Sequence, residues 1–271
     1  MLNPILFVTL LIIFFSIRYV KMIFRKPKNL RDQIVLITGG ANGLGKEIAL
    51  QLSRLGCKIA IADLDIANAE KTVQEILLEG NCKHAKAYKI DVSSLSEIEQ
   101  LKLNMKKDLG SVDIVINNAA LLFVRPIDEE NPVILQKMID VNVMSLVWTT
   151  RVFLQDFIEQ KRGHIVTISS IAGFLHIDLY RNKLGKHIKT TTVFPYFINT
   201  GNVVKEHTQE NYRHTVILST RKVAKRVIEG IKFNERIVTI PSIAYIFGYK
   251  IQIPMILYKM YIRHMTVHKE K

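Results

Sequence analysis

Residues 34–45 read IVLITGGANGLG, an unbroken β-forming apolar run that dissolves into glycines just before the helical pattern KEIALQLSRLG. Within Thr38-Gly39-Gly40-Ala41-Asn42-Gly43-Leu44-Gly45, the glycines at 39, 43 and 45 permit a tight turn, close backbone approach to a phosphate and close packing of helix on strand. The helix that follows offers its free N–H groups to a pyrophosphate. The next apolar run, KIAIAD, ends in Asp63, 24 positions after Gly39, where a carboxylate can accept bonds from the adenosine ribose hydroxyls. An acidic residue at that point repels a 2′-phosphate, so the pattern predicts a dinucleotide site that prefers NAD to NADP.

Working outward, β-rich runs alternate with helical patterns along the rest of the chain. HAKAYKID, VDIVIN, HIVTIS, KTTTVF and RIVTI read as further strands, and ANAEKTVQEILLEG, LSEIEQLKLNMKKDLG, a long stretch from Pro132 to Gln160 and VAKRVIEGI read as helices. Strands apolar on both faces and separated by helices predict an α/β fold with a doubly wound parallel sheet, of the Rossmann type. At 271 residues the chain accommodates one such domain, placed at 30–241, and leaves no room for a second.

Two cysteines, Cys57 and Cys82, are too few for a disulfide framework and lack the neighbours of a metal site, so they read as buried small hydrophobes in a reducing compartment. The net charge of +14 fits an anionic membrane surface or a basic exterior. Its dispersed lysines and arginines, with no nucleic-acid module or aromatic stacking motif, argue against nucleic acid.

The N-terminus carries PILFVTLLIIFFSI from Pro4 to Ile17, followed by Arg18, Lys21, Arg25, Lys26 and Lys28. That run falls short of the ~20 residues that span a bilayer comfortably, yet it spans if Arg18 and Lys21 snorkel. No basic residue precedes it and no small-residue cleavage site follows, so residues 1–25 are expected to form an uncleaved membrane anchor with the domain facing the cytosol. The tail, residues 242–271, mixes apolar residues with Lys250, Lys259 and Arg263 around Pro254; it is compatible with a membrane-interface segment and equally with a helix packed on the domain.

Thr-Gly-x-x-x-Gly-x-Gly is the glycine motif of the short-chain dehydrogenase/reductases, and residues 38–45 match it throughout. The chain resembles that family from Leu30 to about Pro241, and more narrowly its membrane-anchored branch of retinol and hydroxysteroid dehydrogenases. The resemblance implies cofactor contacts from Thr38, Gly39, Gly43, Leu44, Gly45 and Asp63. It adds Asp91 and Val92 at the adenine, Asn118 within Asn117-Asn118-Ala119-Ala120 (the family signature has glycine in place of Ala120), and Thr200 over the nicotinamide. It further implies that Asn142 interrupts a helix and holds a relay water, and that Ser170, in Ser169-Ser170-Ile171-Ala172-Gly173, orients an apolar substrate alcohol or carbonyl of the retinoid or steroid class. Pairing through the long helix, with a second copy or a related dehydrogenase, and residence on endoplasmic reticulum or lipid droplets are also implied.

The family's proton donor is a tyrosine with a lysine four residues on, which holds the ribose and lowers the tyrosine pKa. Between Ser170 and the next strand this chain offers Tyr180-Arg181-Asn182-Lys183, a spacing of three. On a helix, moving the lysine from i+4 to i+3 rotates it by roughly 100° and retracts it by about 1.5 Å. Ile171 to His187 holds 17 residues, enough for a parallel crossover of about a dozen but too few for a substrate loop and a long catalytic helix together. The sequence therefore predicts an internal loss across the catalytic region, with Tyr180 and Lys183 misaligned and turnover impaired or absent. A membrane-bound nucleotide-binding or interaction protein without activity, and an unstable product, are the alternatives.

Overall fold

The computed structural model describes residues 24, 26–79, 81–82, 84–122, 131–169, 187–195, 198–200 and 217–240. Seven strands, β1 (Ile34–Thr38), β2 (Lys58–Asp63), β3 (Ala85–Lys89), β4 (Ile114–Asn117), β5 (Gly163–Ile168), β6 (Ile188–Pro195) and β7 (Ile237–Ile240), form one sheet in the order β3-β2-β1-β4-β5-β6-β7. Every pairing is parallel. All five residues of β1 are buried, as a strand covered on both faces requires. From β1 the chain moves outward to β2 and β3, then returns to place β4 on the other side of β1, which opens a crevice above Thr38 and Asn117.

Among the described residues there are six α-helices, α1 (Gly43–Arg54), α2 (Ile66–Leu78), α3 (Leu95–Asp108), α4 (Pro132–Ile139), α5 (Ser145–Glu159) and α6 (Thr220–Lys232), and all but α4, which buries no residue, pack on the sheet. Alternate residues of β1 feed separate cores, because successive strand side chains point to opposite faces. Val35 and Ile37 pack with Ile48 and Leu52 of α1, Ile76 of α2 and Val227 and Ile231 of α6. Ile34 and Leu36 pack with Ile98, Leu101 and Met105 of α3 and with Phe153 and Phe157 of α5. Cys57 and Cys82 are free and buried in the first core, and burial pushes the Cys57 thiol up to about 12, which makes it inert as a nucleophile.

The stretch read as one helix from Pro132 to Gln160 is helical from Pro132 to Glu159, α4 and α5 running on without a break in helical backbone. Asp140–Met144 forms a π-helical turn between α4 and α5. At the crossover of interest, β5 and β6 pair from Gly163↔Ile188 to Ile168↔Val193, so the sheet continues across the short interval. Ser170, Tyr180 and Lys183 lie outside the described residues, as do the expected anchor up to residue 23 and the tail. Among the described residues, no helix is long and apolar enough to cross a membrane.

The end of the sheet opposite the crevice is closed by a polar chain. Lys28 Nζ sits 2.9 Å from His164 Nδ1, and His164 Nε2 sits 2.7 Å from Thr191 Oγ1, which donates to the Glu235 carbonyl at 2.7 Å. With the threonine proton committed to Glu235, the hydroxyl oxygen accepts from Nε2–H, and Nδ1 is left to accept from the Lys28 ammonium. Burial, then the positive charges of Lys28 and Lys189, hold the His164 pKa well below the ordinary value. Burial also lowers Lys28 to about 8, against the opposing pull of Asp113.

For His164 the unfolded chain takes up a proton below pH ~6.5 that the native state refuses, so stability is lost as pH falls through that value. Between pH 7 and pH 5 stability is therefore expected to fall progressively, most of the fall coming below pH ~6.5. Thermal melts across that window should show the slope in the native chain and a flattened slope in His164→Leu. Lys28 acts in the same direction in a higher window, its burial penalty being relieved as pH rises from about 8 towards 10.5.

Candidate cofactor and active site

At the crevice the chain after β1 turns through Gly39 at φ 64° and Gly43 at φ 56°, a left-handed region that favours glycine. Space imposes a second restriction. A Cβ on Gly39 would lie 2.8 Å from the Ala119 Cα, and one on Gly45 would lie 2.2 Å from the Gly39 carbonyl oxygen and 2.6 Å from Asn118 Nδ2. The turn is held from beneath by Asn118, whose amide donates to the carbonyls of Thr38 (3.1 Å) and Gly39 (2.9 Å). The N–H groups of Asn118 and Ala119 both donate to Thr38 Oγ1, which in turn donates to the Ile116 carbonyl. The ends of β1 and β4 are thereby laced into one platform.

α1 opens from this platform. Asn42 is extended and its side chain does not cap the helix, so the first N–H groups of α1 carry no side-chain partner from that residue. Leu44 has its side chain in the core, leaving only its backbone to face the crevice. Thr200, which follows β6, comes beside the turn, its Cβ 3.3 Å from where a Gly43 Cβ would stand.

Asp63 at the end of β2 is fixed at both oxygens, Oδ2 accepting from Ala41 N–H and Oδ1 from Asp65 N–H, each at 3.0 Å. Its carboxylate therefore stands next to the glycine turn in one orientation. Asp91, after β3, accepts from the Ser93 N–H and hydroxyl and pairs with Lys137 of α4 at 2.7 Å. Burial alone would raise the Asp91 pKa, but the bonds from Lys137 and Ser93 outweigh it and hold the group below the usual range. Val92 beside it is buried in the second core.

Asn142 lies in the π-helical turn, where its side chain makes a two-way clasp with Leu121. Oδ1 accepts from Leu121 N–H and Nδ2 donates to Leu121 O, both at 2.8 Å. A π turn widens the backbone by one residue, and such turns cluster at functional sites. Behind it, Thr149 Oγ1 lies 2.7 Å from Asn117 Oδ1 and ties α5 to the end of β4. The glycine turn, Asp63, Asn118, Thr200 and the Asn142 turn thus all gather at the carboxyl ends of the strands.

The sequence profile described as "short chain dehydrogenase" matches residues 33–211, well over half of the 271. This chain is a member of the short-chain dehydrogenase family. It is similar to 17-beta-hydroxysteroid dehydrogenase 13 of Homo sapiens, 28% identical over 271 aligned residues that cover 90% of this chain and 88% of that protein. Epidermal retinol dehydrogenase 2 of Homo sapiens is 31% identical over 242 aligned residues, covering 81% of this chain and 78% of that protein. Among solved structures, a short-chain dehydrogenase/reductase from Burkholderia phymatum in complex with NAD shares the fold with a TM-score of 0.70 at 20% identity, covering 82% of this chain and 93% of that one.

As a short-chain dehydrogenase, the chain is an oxidoreductase by family, related to steroid and retinol dehydrogenases. The crevice brings together the residues that the resemblance assigns to the cofactor and, of the catalytic set, Asn142. Ser170, Tyr180 and Lys183 fall on the interval that the described residues leave out. Two participants escaped the sequence reading. Lys137 carries no local signal, since its partner Asp91 is 46 positions away, and Leu121 contributes only backbone atoms to the Asn142 clasp.

Proposed function

We propose that this short-chain dehydrogenase binds NAD(H) at the platform between β1 and β4, and that its hydride transfer to an apolar alcohol or carbonyl of the retinoid or steroid class is impaired or lost. The observation that carries the first half is the fit of the glycine platform. Backbone occupies the space where a side chain on Gly39 or Gly45 would be, and what remains exposed is a polypeptide surface that a pyrophosphate can approach. Asp63 would receive the ribose hydroxyls, Asp91 and Val92 the adenine, and Asn118 keeps the turn in shape. When bound, the nicotinamide supplies the hydride acceptor or donor.

The remaining chemistry falls to the chain itself. Ser170 would orient the substrate oxygen and Asn142 would hold a relay water, while Tyr180 would exchange the alcohol proton. If the segment is helical, Lys183, three residues on, would stand on the wrong side to lower the tyrosine pKa. This supports binding without efficient turnover. The apolar run Pro4–Ile17 with its basic flank supports an N-terminal anchor and a cytosol-facing domain on endoplasmic reticulum or lipid droplets. The two relatives' names support the substrate class.

Titration of the full chain with NADH and with NADPH tests the cofactor reading. NADH should bind at least about tenfold tighter, corresponding to roughly 1.4 kcal/mol of repulsion between the Asp63 carboxylate and a 2′-phosphate, and Asp63→Ser should erase the difference. Equal affinities in the native chain would remove Asp63 from that role.

A further inference from the structure

We propose that the outer groove between α1 and α6 seats the domain on an anionic lipid surface. Of about 460 Å³, the groove has an apolar floor from Leu55 and Ile228 and a rim of Arg221, Lys222, Lys225 and Lys232. None of those four cations has an ion-pair partner among the described residues, whereas neighbouring Arg226 is neutralised by Glu235 and Arg54 by Glu79. Glu229 is the one carboxylate lining the groove. Four uncompensated cations around apolar contact area are what a surface of anionic headgroups over acyl chains complements, the lysine stems lying along the apolar floor and their ammonium groups reaching the headgroups.

Location supplies the second argument. Lys28 N–H donates to the Lys232 carbonyl at 2.8 Å, so the chain that emerges from the apolar N-terminus is tied to the C-terminal end of α6, at one end of the groove. Phe24, four residues earlier, is 77% exposed, an aromatic suited to the headgroup level. Lys28 lies eleven positions after Ile17, which limits the groove to within about 40 Å of the end of the apolar run. Such a tether raises the effective concentration of the surface at the groove. The contribution of α1 begins at Gln51, beyond the glycine platform at its other end, so docking here leaves the cofactor crevice open. The proposal rests on the reading of the N-terminus as a membrane anchor.

The test uses the full chain in vesicles of phosphatidylcholine alone and of phosphatidylcholine with phosphatidylserine. A water-soluble amine-acylating reagent is applied and each lysine is followed by mass spectrometry. Lys222 and Lys225 should be modified about fivefold more slowly on the anionic vesicles, and high salt should remove the difference, while Lys106 and Lys107 of α3, on the opposite face of the sheet, keep one rate throughout. Equal rates of Lys222 and Lys225 on both vesicles overturn the proposal. Protection that is present on neutral vesicles and grows with protein density would assign the groove to a second copy of the chain, and also overturns it. Flotation of the same samples reads the anchor separately. A chain that floats with both vesicles but leaves these lysines unprotected defeats the groove alone, and a chain that floats with neither defeats the anchor reading as well.

Discussion

Gly45→Ala abolishes NADH binding, by at least about 100-fold in affinity, or some 2.7 kcal/mol. The new Cβ meets the Gly39 carbonyl oxygen at 2.2 Å and Asn118 Nδ2 at 2.6 Å, and the closer of these is backbone that no rotamer change moves aside. Relief requires α1 to lift from the platform or the turn to open, and either displaces the first N–H groups of the helix from the position a pyrophosphate needs. The Asn118 bonds to Thr38 and Gly39 are broken by the same movement, so some loss of stability accompanies the loss of affinity. Energy transfer from protein aromatics to NADH reads the first effect, and a melt without ligand reads the second. A variant that binds NADH as well as the native chain would show that the phosphate lies elsewhere.

The second large effect is on turnover. With NAD and either retinol or estradiol, the full chain should oxidise substrate at least about 10³-fold more slowly than a relative with Tyr-x-x-x-Lys intact, within the 10²- to 10⁴-fold span that a positioned general acid or base contributes. Tyr180→Phe should then change the residual rate by less than about twofold, because a tyrosine without a correctly placed lysine has its ordinary pKa near 10 and gives little proton transfer at neutral pH. A native rate close to that of the relative, abolished by Tyr180→Phe, would show that the i+3 lysine works and that the short interval still builds an active site.

Most of the sheet was legible because a parallel strand buried on both faces has to be apolar at nearly every position, as in Ile34–Thr38 and Lys58–Asp63. The glycine turn was legible for a similar reason, since its spacing is dictated by contacts that exclude a Cβ. The π turn within Pro132–Gln160 was not visible in local periodicity. It coincides with a clasp between Asn142 and the backbone of Leu121, 21 residues away, at the residue where the family resemblance, and not periodicity, implied an interruption. Nor was the pairing of Lys137 with Asp91 or of Lys28 with His164 legible, since these are 46 and 136 positions apart and reach one another only once the sheet has formed. For the interval after Ser169 the sequence offers only a length, 17 residues from Ile171 to His187, and all of these but His187 lie outside the described residues.

The most direct test is a thermal melt of the full chain in mild detergent, with and without NADH. The account predicts one cooperative transition that NADH raises, by about 2.7 kcal/mol at a hundred times its dissociation constant, or several degrees for a domain of this size. A cooperative transition that NADH leaves in place up to millimolar concentration would contradict the cofactor platform, and the absence of any cooperative transition would mean that the shortened crossover has cost the domain its fold.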